Sequence, residues 1–419
     1  MSTPGGLRRV LTLPDLVLFH IVAIVGLRWY LTAARTGPAS VTLWCLAVLL
    51  FFVPQGIAVH RLSARWPAEG GLYVWAREAF GPFHGFVCGW AYWVNNLTYY
   101  PTLVLFVMGN AGFLFGLGAV TGTESSWPHV IASCGILWTA VLLNLVGVGT
   151  GRWLQNTGAL ATWIVTAILV VLAVWARAAP GPPTVASADV GGFANAGSLA
   201  FFATLCFALA GLELAPSMAG EVKDAERTIP RSIFWAAPTI ALTYIVGTLA
   251  ILAAFPGGQV DVIAGIVEAV DALGARVGLS LTPIVAFLVV LTGLGGLGAW
   301  LAGSARVPFA IGLDRYLPAF FGRLHPRWGT PHGALLAQGA LATLFIVASG
   351  VGATLEEAYL VLVNATIVVY FLPYLYLFTA LAAHVSKVAG QALLLLAVGV
   401  AFYAVYRRKG RPPTKAAAS

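Results

Sequence analysis

Polar groups set in otherwise apolar stretches are the places where this sequence can do chemistry, and Glu213 is the foremost. It is the one acidic residue of 15 that reads as lying well inside an apolar run, directly after Ala208-Leu209-Ala210-Gly211 and ahead of Pro216. A carboxylate in hydrocarbon must be paired or protonated. Two roles are open for it, a proton carrier or an anchor for locally broken backbone. Arg28 is the basic residue at comparable depth, just after Ala23-Ile24-Val25-Gly26. Its guanidinium can bind a substrate carboxylate in bidentate fashion or reach back to the nearby interface. Tyr92, Asn96 and Tyr100 recur at four-residue spacing, which puts them on one helical face beside Pro101. Such a stripe faces a cavity or hydrogen-bonds to a neighbouring helix. Phe207 immediately precedes the second small-residue run and could close over a ligand, although core packing is the ordinary role of a Phe in a span. Trp300, Asn364 and His20 are weaker candidates of the same kind.

The elements that position these groups are membrane helices. Of 419 residues, 59% are hydrophobic and 9% charged, whereas soluble domains carry roughly a quarter charged residues. Apolar runs near 13–36, 39–60, 83–114, 127–149 and 153–176 form one group. After a Pro/Gly-rich loop at 179–197, runs near 197–219, 232–254, 281–305, 332–350, 357–383 and 389–406 follow, eleven in all. Lipid cannot satisfy free backbone groups, and these runs lack the alternation of a barrel, so helices are the expected solution. The net charge of +8 comes from scattered residues that build no basic domain, and no nucleic-acid partner is expected. Placing the N-terminus in the cytoplasm puts most of the basic loop residues inside, leaving Arg35, Arg177 and Arg276 outside. The basic tail from Arg407 onward then emerges on the wrong side, as though one span were missing.

Other function classes find little support. Cys45, Cys88, Cys134 and Cys206 lie in apolar stretches without metal-ligand spacing. No phosphate loop, metalloprotease helix or nucleophile elbow is present in the sequence, so neither an enzyme nor a cofactor is expected. An amphipathic stretch with Asp261, Ile263, Ile266, Val267, Val270 and Asp271 reads as a helix lying on the outer face. Aromatic and basic stretches at Tyr73 to Phe80 and Phe309 to Phe321 suit interfacial positions.

The first and sixth runs share a design: a small-residue stretch near the middle with an ionisable group close behind. If the two groups of five enter the membrane from opposite sides, these two runs are equivalents. That is the plan of an inverted-repeat transporter, whose broken helices expose N–H and C=O groups at the midplane. Exposed N–H groups suit a carboxylate, and exposed carbonyls suit an ammonium or metal cation. Tight helix packing is the competing explanation for each run by itself.

Several strings, in order, resemble the amino acid-polyamine-organocation superfamily of permeases. They are Pro67-Ala-Glu-Gly-Gly-Leu-Tyr73 continuing to Ala79-Phe80-Gly81, then Gly211-Leu-Glu213 with Glu221-Val222 and Arg227-Thr-Ile-Pro230. Leu301-Ala-Gly303 with Arg306, and Gly329-Thr-Pro331, complete the set, which covers about the first 375 residues. The resemblance implies an all-α polytopic membrane protein with a five-plus-five inverted repeat and discontinuous helices one and six. The repeats would occupy 1–176 and 177–383, with an abbreviated helix and basic tail at 384–419. It implies alternating access for an amino acid or amine, with the lipid bilayer as its surroundings and with or without a coupling ion.

Carried over by position, Ala23, Ile24, Val25 and Gly26, with Ala208, Leu209, Ala210 and Gly211, would be the unwound substrate-binding segments. Phe207 would be the aromatic gate, Asn96 and Tyr100 the contacts to the substrate side chain, and Glu213 the acid after the second break. Ala23-Ile24-Val25 stands where the family places glycine-serine-glycine, and Thr162 and Trp163 stand near the position of a lysine in proton-coupled relatives. Midplane hydroxyls that would complete a sodium site are missing from Leu294 to Trp300. With one run after the tenth where the family has two, a non-transporting sensor or partner subunit on the same fold is the alternative expectation.

Overall fold

The computed structural model describes residues 7–115, 127–178, 196–255, 260–349, 360, 362, 366, 367 and 369–386. Seven described helices are long and apolar enough to cross a membrane, and eight if the bent pair Leu13–Ile24 and Arg28–Ala34 counts as one span. That pair is span one. Span two is Ala39–Arg65, span three Pro82–Phe115, span four Trp127–Val146 and span five Val148–Ala178. Span six is Ala196–Ala208 followed by non-helical chain and a short tight helix, Pro216–Glu221. Span seven is Ala225–Ala254, span eight Thr282–Leu313, span nine His332–Ser349 and span ten Val369–Ser386. The expected eleventh run and the tail fall outside the described residues, as do Asn364 and the loop at 179–195.

The exterior is apolar and the polar groups are inside, which is how a chain solves burial when its solvent is lipid. Ile131, Trp153, Val174 and Phe234 are each about two-thirds exposed (67%, 67%, 67% and 69%), while Gln55, Asn96, Thr162 and Glu213 are fully buried. Glycine lets the central helices touch. A Cβ on Gly158 of span five would meet the Gly295 Cα of span eight at 2.9 Å. Beside that crossing Thr162 donates to its own helix at the Gly158 carbonyl, 2.9 Å away.

Two local expectations change. Span eight runs eight residues past its expected end at 305, to Leu313, so Arg306 and Phe309 are buried helix residues and not part of an interfacial stretch. Residues Leu72–Phe80 do form a short helix, yet Tyr73, Val74, Trp75 and Ala76 face inward. The amphipathic outer stretch forms the helix Gly265–Val277, with Ile266, Val267 and Val270 packed beneath it. Its start is pinned by the Asp261 carboxylate, which accepts from the Ile263 and Ala264 N–H groups at 2.7 and 2.8 Å. Two further acids are buried near span ends, Glu221 at 1% exposed and Asp15 at 8%.

Candidate functional site

Both breaks form where the sequence weakens the helix. Span one bends by 44° between Ile24 and Arg28. Span six stops at Ala208, and Gly211 takes φ of +130°, a backbone state open to glycine but not to side-chain-bearing residues. A Cβ at Gly211 would also meet Ile24 Cγ1 at 2.9 Å, so glycine is what allows the two breaks to lie against each other.

Backbone groups freed at the first break are bonded by side chains of the second half of the chain, and those at the second break by side chains of its own half. Tyr244 of span seven places its hydroxyl between the Ile24 and Ala208 carbonyls, the latter at 2.9 Å, and accepts from the Gly26 N–H at 3.2 Å. Trp300 Nε1 of span eight donates to the Ala23 carbonyl at 2.7 Å. The Ala23 carbonyl is thus taken by an indole N–H, and the Ile24 and Ala208 carbonyls share the single proton of the Tyr244 hydroxyl.

Glu213 secures the second break. Its Oε2 accepts from Tyr374 at 2.6 Å, Gln55 Nε2 at 3.1 Å and the Gly211 N–H at 3.2 Å. Its Oε1 accepts from Tyr370 at 2.5 Å and Tyr92 at 3.2 Å. Five donors from spans two, three, six and ten thus converge on one carboxylate, using all of its roughly four lone-pair sites, with the Gly211 N–H shared between Glu213 and Tyr374. Tyr374 also accepts from Gln55 at 2.7 Å and from the Gly211 N–H at 3.1 Å, closing the network.

Five aromatic rings pack beside the breaks. Phe207 meets Trp29, Tyr99 and Tyr370 edge-on with centroids at 5.7, 5.6 and 5.2 Å, and Trp300 meets Tyr99 at 5.0 Å. Arg28 lies among them, its guanidinium 4.9 Å from the Trp29 ring centre and 5.3 Å from that of Tyr99, whose hydroxyl it also contacts. It is 2% exposed, enclosed by protein on all sides.

The polar stripe of span three divides its partners. Tyr92 goes to Glu213, Tyr100 shares a hydrogen bond with Ser304 of span eight, and Asn96 Nδ2 donates to its own helix at Tyr92, 2.7 Å away. Gln55, Tyr99, Tyr244, Tyr370 and Tyr374 went unread in the sequence. Tyr370 and Tyr374 carry the same four-residue signal as the span-three stripe, and Gln55 is an amide in an apolar run, so all three are detectable. Nothing local marks Tyr244.

A second buried cluster closes the end that carries the N-terminus. Leu11 and Val222 pair as a one-residue parallel bridge, with Lys223 N–H donating to the Leu11 carbonyl at 2.9 Å. Behind it Arg306 binds Glu221 through both ends of its guanidinium, at 2.8 and 3.0 Å, and Glu69 Oε1 lies 3.9 Å from the same cation. Glu69 Oε2 accepts from the Gly220 N–H at 2.7 Å. Burial, and then the Glu221 charge, push the Glu69 carboxyl well above the usual carboxylate range, against the pull of Arg306 and the Gly220 N–H.

A raised folded-state value means that this packing holds a proton which the unfolded chain releases near its ordinary pKa of about 4.3. Stability from this group is therefore full below that value and falls as pH rises toward the folded value. Glu69→Gln is expected to flatten this descending limb in thermal unfolding midpoints measured across pH. An unchanged profile would show that Glu69 is not its source.

Comparison with known proteins gives four results. A family model described as amino acid permease matches residues 11–405. An uncharacterised transporter of Legionella pneumophila is 30% identical over 386 residues, covering 89% of this chain and 80% of that protein. The probable agmatine/putrescine antiporter of Lactococcus lactis is 27% identical, over 75% of this chain and 66% of its own length. Among solved structures, MhsT in complex with L-phenylalanine superposes with a TM-score of 0.65 at 15% identity, covering 88% of this chain and 90% of that one.

Proposed function

The chain belongs to the amino acid permease family, and from that membership we propose that it is a secondary transporter exchanging or importing an amino acid or related amine by alternating access. Its fold is the five-plus-five inverted repeat with discontinuous helices one and six, and its relatives are transporters. The observation that carries the proposal is the meeting of the two breaks beside an aromatic cluster, each break held by side chains from other spans. Substrate sits at the segments 23–26 and 208–211, under Phe207, whose edge-on contacts must open for passage. The relative named as an agmatine/putrescine antiporter supports exchange and an amine-bearing substrate.

Asn96 and Tyr100 face the substrate side chain. The Asn96 Oδ1 is buried without a hydrogen-bond partner among the described residues, an acceptor suited to a substrate N–H. Arg28 supplies positive charge beside the two breaks for a carboxylate, and Glu213 couples the second break to spans two, three and ten. The protein resides in the cell membrane with its N-terminus in the cytoplasm, the orientation that the loop arginines favour.

Proteoliposomes test this directly. A panel of radiolabelled amino acids and polyamines is expected to show uptake or counterflow above empty vesicles for at least one member. Folded protein that moves none of them, under proton, sodium or substrate gradients alike, would overturn the proposal.

A further inference from the structure

An open groove of about 710 Å³ lies on the outer surface between spans two and seven. It is framed by two irregularities, the wider helical turn Val48–Phe52 in span two and Pro238 in span seven. Along span two it runs from Val48 to Arg61, a rise of about 20 Å at 1.5 Å per residue. That is the depth of one leaflet, since half of a hydrocarbon core is about 15 Å and the headgroups lie beyond it.

The chemistry of the groove changes along this length. Phe52, Ile57 and Ala241 wall its deeper part, while its polar side chains, His60 and Arg61, stand together at the end nearest the N-terminal face. Among the described residues no acidic one lines it. Phe234 and Trp235, 69% and 60% exposed, flank that same end at the level where aromatic side chains anchor to headgroups. Apolar walls one leaflet deep, ending in a guanidinium, are complementary to a diacyl lipid with a negatively charged headgroup.

We infer that this groove is a binding site for an anionic phospholipid, with its phosphate on Arg61 and His60 and an acyl chain along Phe52, Ile57 and Ala241. The site borders the transport machinery. Gly56 lines the groove and faces Leu212 of the second break, where a Cβ would lie 3.7 Å from Leu212 Cδ1. The preceding residue, Gln55, holds Glu213. A lipid seated here therefore presses on the span-two turn that secures the break, making transport sensitive to the charge of the leaflet.

The test titrates purified protein in neutral detergent with dioleoyl phosphatidylglycerol, and separately with dioleoyl phosphatidylcholine, reading the thermal unfolding midpoint. Phosphatidylglycerol is expected to act at concentrations about tenfold lower, the worth of one hydrogen bond to a charged group. Arg61→Gln, at an exposed position that threatens no fold, should bring its curve onto that of phosphatidylcholine. Arg323→Gln, exposed elsewhere at the same end, should leave the preference intact. Ala241→Phe fills the acyl part and should weaken both lipids. Inorganic phosphate should produce no shift.

Equal response to the two lipids, or a preference that survives Arg61→Gln, overturns the site. A loss of preference in Arg323→Gln equal to that in Arg61→Gln overturns it in favour of diffuse surface charge. Unchanged lipid response in Ala241→Phe removes the acyl seat, and a phosphate effect matching that of the lipid would mean that a free anion is bound there.

Discussion

Glu213→Ala is expected to abolish transport and to lower stability by at least about 3 kcal/mol, because it strands several buried donors that each cost about 1–3 kcal/mol when unpaired. Those donors are Tyr92, Tyr370, Tyr374, Gln55 and the Gly211 N–H. Glu213→Gln separates the two roles that the sequence leaves open. A glutamine has the shape of the carboxyl but turns a donor toward donors, so an anchor would show a lowered unfolding midpoint together with lost exchange. A proton carrier would keep its midpoint and its substrate exchange while losing response to a pH gradient. The convergence of five donors favours the anchor. Tyr374→Phe, which removes one of them and uncaps Gly211, should reproduce part of the effect; full transport in Glu213→Ala would remove this residue from the mechanism.

The second large effect belongs to Arg306. Arg306→Ala leaves Glu221 buried without its cation, and breaking a buried pair in this way typically costs about 3–5 kcal/mol. Glu69 loses the same neighbour, and without the guanidinium its carboxyl is held still more firmly in the protonated form. Replacing the pair together, as Arg306→Met with Glu221→Leu, should recover much of the stability, since an apolar pair of similar bulk avoids the desolvation of both charges. Thermal midpoints of the two single variants and the double variant give the coupling directly. If the double variant is as unstable as Arg306→Ala alone, the ion pair is not what holds this end together.

Transport in the double variant is also informative. Arg306, Glu221 and Glu69 join span eight, the inner part of span six and the loop before Leu72–Phe80. A mouth that opens by separating these segments must break the pair in every cycle. The apolar replacement would then alter rate more than stability.

The sequence by itself determined the transverse architecture. Spans, their helical state and the two weak points at 23–26 and 208–211 follow from run length, from small residues and from the need to satisfy backbone groups in lipid, all of which act locally. It also marked Glu213 as a polar group that must find partners. Span ends were less legible. Arg306 read as a loop residue because a charge ended the apolar run, whereas the helix continues when that charge is neutralised at a distance.

Only the tertiary structure decided which partners those are. Gln55 and Tyr374 meet at Glu213 from opposite ends of the chain, and Tyr244 joins both breaks from span seven. Tyr100 finds Ser304 of span eight, and Glu221 and Glu69 share a single cation. Local periodicity states which face of a helix is polar but not which helix it meets. That choice is made when every buried donor and acceptor must be matched at once, a condition no single segment contains.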